Sequence, residues 1–249
     1  MPVSPPRNLR TLIQRVLYVL PLFLPLYTVR FHVGPLPTTL LEVVLLVLFS
    51  LYSVQAKWSG WRAGWERLGA WCYPMIGWSL VALIAIFVAP DPVAGLGLWR
   101  AYVLEPLLVF VIIADVLRSE EDLVCVRKHF FISVCLLGAW ALVQFLTGSG
   151  IPHPWDVSIH GGRRATGPFP FPNALALFVA PLTIWAFFTW MEERKDYLAF
   201  ATSLVGIGAM LLARSQGGLL AVVCIGWLGL VINKNWRRYA VYAALIGTF

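Results

Sequence analysis

The chain has 249 residues, 59% of them hydrophobic and only 12% charged, with a formal net charge of +7. A soluble domain is about one-quarter charged, so this composition excludes an ordinary soluble fold. The apolar runs are continuous rather than alternating, which favours helices over a closed barrel. The expected architecture is an all-α, polytopic membrane helical bundle.

About nine apolar segments follow one another, at 12–29, 38–54, 70–89, 98–117, 130–146, 174–190, 197–213, 217–232 and 239–249. Most approach the ~20 residues that cross a bilayer. The first is interrupted by Pro21 and Pro25 and has no small-residue cleavage site after it, so it reads as a retained helix rather than a signal peptide. Cys72, Cys125, Cys135 and Cys224 show no paired spacing, and neither a disulfide nor a metal site is expected. The last segment stops after 11 residues. The expectation is a single membrane domain over 1–249, truncated before a large outer loop.

Lysine and arginine divide unequally between alternate loops. With the N-terminus inside the cell, the inner segments hold Arg7, Arg10 and Arg15; Lys57, Arg62 and Arg67; Arg118, Arg127 and Lys128; Arg194 and Lys195; and Lys234, Arg237 and Arg238. This asymmetry sets the expected orientation and accounts for the positive charge without nucleic acid as a partner. Five cations stay outside: Arg30, Arg100, Arg163, Arg164 and Arg214. Every one is arginine, whose planar fork matches phosphate or carboxylate.

The same outer face gathers Glu42, Asp91, Glu105, Asp156, His32, His153 and His160. Arg100 and Glu105 lie in "LWRAYVLEPLLVF"; a spacing of five puts them about 140° apart on a regular α-helix, so they are expected to reach different neighbours. They read either as a polar cavity or, for Arg100, as snorkelling to the interface. Thr39 and Glu42 fit a capping box, as do Ser119 and Asp122 on the inner side, where Asp115 is also spaced to pair with Arg118.

The outer loop at 148–172 ends in "GGRRATGPFPFPNALALF". Asn173 is placed to cap the helix that follows, with Pro172 keeping the preceding chain extended. The helix N-terminus then turns its positive dipole end outward beside Arg163 and Arg164, which suits an anion. Non-specific contact with lipid phosphates is the plainer alternative. A second feature, "LLARSQGGLLAVV", puts Arg214, Ser215 and Gln216 in a tight outer turn before Gly217 and Gly218. Arg214 needs a partner there, either an anion shared with Arg163 or Arg164, or a carboxylate such as Glu42 or Glu105.

"RRATGPFPFPNALALF", "ARSQGGLLAVV" and "LWRAYVLEPLLVFVII" together resemble the O-antigen ligase and polymerase superfamily of bacterial envelope glycosyltransferases, most specifically over 163–220. This chain reads ARSQGG where that family often has arginine directly before glycine. The resemblance implies a metal-independent, cofactor-free enzyme of the bacterial inner membrane. It would pass a glycan from an undecaprenyl diphosphate carrier, at the outer membrane face, to an acceptor glycan, lipid A core or glycoprotein. It implies arginines on the donor diphosphate, here Arg163, Arg164, Arg214 and more weakly Arg100, with Asn173, Ser215, Gln216 and Glu105 in support. A catalytic histidine is implied in a later loop, beyond Phe249; His153 and His160 lie too early to match it, so these residues alone are expected to be inactive. A polymerase of the same superfamily, a lipid-linked sugar flippase and a non-catalytic scaffold are the alternatives.

Overall fold

The computed structural model describes residues 7–34, 36–156 and 162–239. The chain divides into two compact units, residues 1–129 and 130–249.

In the first unit, α1 (Arg7–Phe23) passes through a 3-10 turn (Leu24–Thr28) into a hairpin of β1 (Arg30–Val33) and β2 (Leu36–Thr39). The strands are antiparallel with Arg30 opposite Thr39. This short hairpin departs from the all-helical expectation. Pro37 keeps the residue before it extended, and the Thr39–Glu42 capping box then starts α2 (Leu40–Leu68).

Although α2 spans 29 residues, it is broken at Lys57, whose φ is +51°. The chain folds back there, and Trp61 packs edge-on against Tyr52 with ring centroids 4.9 Å apart. A Cβ on Gly64 would stand 2.4 Å from the Val111 carbonyl oxygen, so only glycine lets the second half of α2 meet the helix that carries Val111. A 3-10 turn (Gly69–Trp71) leads to α3 (Cys72–Phe87), which has no buried residue. Asp91 caps α4 (Pro92–Trp99) through the amides of Val93 and Ala94. A π turn (Arg100–Leu104) then continues into α5 (Glu105–Val116).

The core of this unit is built from α1, α2 and α5: Ile13, Leu17 and Leu20 meet Leu45, Leu48, Tyr52, Ile112 and Val116. The i, i+4, i+7 spacing in α1 places its three residues on one face. At one end of this core, Asp115, which is 4% exposed, gathers three arginines. Arg67 and Arg118 approach its Oδ1 at 2.7 and 2.9 Å, Arg10 donates to its backbone oxygen at 3.2 Å, and Tyr52 donates to Oδ2 at 3.0 Å. The Asp115–Arg118 pair and the Ser119–Asp122 capping box follow the sequence expectation. Asp122 also accepts from Tyr18 and Gln14.

Helix α6 (Glu120–Thr147) begins in the first unit and runs into the second, which holds α7 (Pro172–Glu192), α8 (Tyr197–Leu212) and α9 (Gln216–Ile232). Small residues bring these helices close. A Cβ on Gly206 of α8 would lie 2.0 Å from Thr183 Oγ1 of α7, and one on Gly229 of α9 would lie 2.2 Å from the Phe188 ring. Phe131, Ala186 and Ala199 form a buried cluster between α6, α7 and α8.

Among the described residues, five stretches are long and apolar enough to cross a membrane: Leu9–Thr28, Leu40–Phe87, Pro92–Val116, Glu120–Thr147 and Pro172–Glu192. The 48-residue stretch Leu40–Phe87 covers most of two of the expected segments, 38–54 and 70–89. Helices α8 and α9 are apolar but shorter, at 16 and 17 residues. The expected segment at 239–249 lies outside the described residues except for Tyr239. The chain is a membrane protein built from apolar helices.

Candidate functional site

One end of the second unit brings together the end of α6, the loop before α7, and the turn between α8 and α9. The loop is organised by Gln144, a polar side chain only 1% exposed in the largely apolar second half of α6. Its Oε1 accepts from the amides of Thr166 at 3.0 Å and Gly167 at 2.7 Å. Its Nε2 donates to the carbonyls of Gly150 at 2.8 Å and Gly167 at 2.9 Å. One amide thus satisfies four backbone groups that a buried loop would otherwise leave unpaired. Gln144 was not singled out from sequence. A lone amide in the apolar run "GAWALVQFLTG" is the signal that marks it, because such a group in a membrane helix needs a partner.

The loop is then tied to the α8–α9 turn. The Ala165 amide donates to Leu212 O at 3.0 Å. Arg164 donates from Nε to Ala213 O at 3.0 Å, and from Nη2 to Asn173 Oδ1 at 3.3 Å and Arg214 O at 3.4 Å. Its guanidinium lies 5.1 Å from the centre of the Trp155 ring. Arg164 therefore works first as a strut joining "RRATG" to "ARSQG", two stretches about 50 residues apart in the chain.

Arg163 and Arg214 differ from it. Both are exposed, and among the described residues neither guanidinium has a hydrogen bond or a carboxylate within ion-pair reach. Each rests against a glycine. A Cβ on Gly148 would stand 2.6 Å from Arg163 Cζ, and one on Gly162 would stand 2.7 Å from Arg214 Nη2. Both glycines also have positive φ, +73° and +125°. The unit holds four acidic residues, Asp156, Glu192, Glu193 and Asp196. Glu192 and Glu193 lie at the far end of α7, about 30 Å along the helix axis. Asp156 pairs with His153 at 3.2 Å.

Two helices begin at this end, and neither first turn is capped by a side chain. Asn173 does not cap α7: the N-cap is Phe171, extended at φ −152°, and Pro172 already opens the helix. Pro172 thus keeps the preceding chain extended as expected, and Asn173, two residues past the N-cap, takes Arg164 instead. Ser215 is the N-cap of α9 and is 4% exposed, while Gln216 begins the helix and is exposed. Gly217 faces open space, and Gly218 packs close to Ala176 and Met210. Among the described residues, the end of the unit therefore offers two guanidiniums without a hydrogen bond or ion pair and two helix N-termini without a side-chain cap, a combination that attracts anions.

Arg100, expected as a weaker anion contact, lies in the first unit and is already committed. It bonds Glu42 at 2.8 Å and Pro37 O at 3.3 Å, and its Nε is 3.6 Å from Glu105. Two carboxylates, both about nine-tenths buried, surround this one arginine, so its charge is already engaged within the first unit. The expectation that Arg100 and Glu105 reach different neighbours also fails. The Glu105 amide donates to Arg100 O across the π turn, and i to i+5 winding stacks residues that 3.6-residue winding separates.

His153 is exposed beside Asp156, and His160 lies outside the described residues. Among the described residues there is no group of three or more His, Cys, Asp or Glu that could hold a metal ion.

The chain is similar to the O-antigen ligase of Salmonella typhimurium, with 23% identity over 215 residues, 83% of this chain and 49% of that protein. It spans about half the length of that relative. No family model matches the chain, and no solved structure matches it.

Proposed function

We propose that this end of the second unit holds the diphosphate of a lipid-linked glycan, and that the polypeptide transfers that glycan to an acceptor hydroxyl. On this reading the N-terminus is cytoplasmic, the membrane is the bacterial inner membrane, and the 148–172 loop faces the periplasm. The observation that carries it is the pair of unpartnered guanidiniums, Arg163 and Arg214, seated against glycines beside two uncapped helix N-termini. The similarity to an O-antigen ligase supports the same reaction class.

The chemistry follows from the charge. Transfer breaks the bond between the sugar C1 and the diphosphate oxygen and forms a bond from C1 to the acceptor oxygen. The acceptor proton passes to a base, and undecaprenyl diphosphate leaves as an anion. Negative charge grows on the leaving oxygen as its bond breaks. Fixed guanidiniums and helix amides stabilise that growing charge without reorganising. Arg163 and Arg214 are the contacts this reading requires, with Arg164 holding the loop to the turn and lending its remaining nitrogen. Ser215 and Gln216 open α9 beside them, and Asn173 steadies Arg164. No metal or cofactor is part of the proposal. Ligase is preferred to polymerase because the relative is a ligase; the acceptor is a glycan, lipid A core or glycoprotein.

The test is titration of undecaprenyl diphosphate into the purified protein in nanodiscs. Arg163→Ala and Arg214→Ala should each weaken binding about tenfold, the scale of a charge-assisted hydrogen bond. Unchanged affinity in the double variant would remove the proposal.

A further inference from the structure

The turn at 152–156, in the loop between α6 and α7 of the second unit, has no role in the anion site. Its Trp155 amide donates to Pro152 O at 2.9 Å, and its Trp155 carbonyl accepts from the Arg164 amide at 3.1 Å. The turn is thus bonded through its backbone to the residue that joins loop to turn, and the Trp155 ring packs on the same residue's guanidinium.

The turn displays an unusual set of groups. His153 Nδ1 is 3.2 Å from Asp156 Oδ1. A carboxylate can only accept, so Nδ1 carries a proton, and in the neutral imidazole Nε2 is the acceptor. The side chains of His153 and Asp156 are 76% and 39% exposed. Among the described residues, Trp155 Nε1 and Asp156 Oδ2 have no hydrogen-bond partner. A planar aromatic, an N–H donor, a carboxylate acceptor and an imidazole therefore lie within four consecutive residues of one short turn.

A phosphate does not suit this set, because Asp156 would repel it. A metal would find only two side-chain ligands of the usual kinds. A sugar ring suits it. Its hydroxyls both donate and accept, so they can bond a carboxylate, an imidazole nitrogen and an indole N–H together, while its C–H face packs on an aromatic ring. We propose that His153, Trp155 and Asp156 form a sugar subsite for the monosaccharide bonded directly to the carrier diphosphate. This rests on the reading of Arg163 and Arg214 as the diphosphate contacts, since Trp155 adjoins Arg164 and so adjoins that site.

The test compares two probes on the full chain in nanodiscs: undecaprenyl diphosphate, and the same carrier bearing one N-acetylglucosamine. The wild type should bind the sugar-bearing probe about fivefold or more tighter, the worth of one or two net hydrogen bonds. Asp156→Asn, nearly isosteric at a half-buried position, and His153→Ala, at an exposed one, are both tolerated by the fold and should erase that preference. Asp156→Asn should leave affinity for the bare carrier unchanged or slightly higher, because it removes a negative charge. Trp155→Phe keeps the packing on Arg164 and removes only the indole N–H, so it should lose part of the preference. Equal binding of both probes by the wild type, or a preference that survives Asp156→Asn, would overturn the subsite while leaving the diphosphate reading intact. Failure of the wild type to bind the bare carrier would remove both.

Discussion

Gly148 and Gly162 set the positions of the two unpartnered arginines, and Gly148→Ala gives the cleaner perturbation. The new methyl would stand 2.6 Å from Arg163 Cζ and 2.9 Å from Nε and Nη2. Non-bonded carbon contacts settle at about 3.5–4.0 Å, so the guanidinium must retreat by about 1 Å. Arginine is flexible enough to do so at little cost in stability. A misplacement of about 1 Å in a positioning group nevertheless costs up to about 100-fold in function, and we expect about tenfold weaker binding of undecaprenyl diphosphate, or about 1.4 kcal/mol. Alanine at a positive φ also costs about 1–2 kcal/mol of backbone strain, which would confound the result. Gly150 supplies the control. Its φ is +72°, almost that of Gly148, but a Cβ there meets only Gln144 Nε2 at 4.0 Å, an ordinary contact. Gly148→Ala and Gly150→Ala should therefore lose similar amounts of thermal stability in detergent, while only the first loses carrier affinity. Equal affinities for the two variants would refute the idea that Gly148 exists to seat Arg163.

Two further outcomes test the frame around the site. Gln144→Ala should lower unfolding stability by about 3 kcal/mol, because it strands the Thr166 and Gly167 amides inside the unit; a loss under about 1 kcal/mol, read from detergent thermal melts, would mean the loop is held by other contacts. In the first unit, Asp115→Ala leaves Arg67, Arg118 and the Tyr52 hydroxyl without their shared carboxylate, while Arg10 keeps its bond to the backbone oxygen. It should cost about 2 kcal/mol, and Asp115→Asn distinctly less since it keeps one acceptor for Tyr52.

Much of the scaffold was legible as pattern. Long apolar runs became helices, and the Thr39–Glu42 and Ser119–Asp122 boxes formed because their chemistry is local and acts over three residues. Arg163, Arg164 and Arg214 were picked out as charges against the expected bias, and the structure gathers them at one end of one unit. What escaped was non-local or depended on winding. Arg100 and Glu105 were separated by an assumed 3.6-residue period that the π turn does not keep. Nothing in "SVQAKWSG" announces that Lys57 breaks α2 at a left-handed φ, a conformation that non-glycine residues seldom adopt. Asn173 has the right chemistry for a cap but sits two residues past the N-cap position, an offset that only the observed helix start reveals. The division of labour among the arginines could not be read either: Arg164 and Arg163 are neighbours in sequence, and only the Ala213 carbonyl and the Trp155 ring make one a strut and leave the other unbound.

The π turn at Arg100–Leu104 has a consequence for the whole rod from Pro92 to Val116. A π turn is an α-helix carrying one surplus residue, and each residue of an α-helix accounts for about 100° of rotation. The five residues at 100–104 thus act as a phase shifter. They set the azimuth of Pro92–Trp99 against that of Glu105–Val116, so that residues on one stripe before the turn fall on another after it. A helical wheel drawn through this rod would therefore assign its faces correctly on only one side of Arg100. The same would hold for any chain sharing this region but lacking the extra residue: with one amino acid fewer, Asp91, Trp99 and everything before them would swing round the axis while α5 stayed in place.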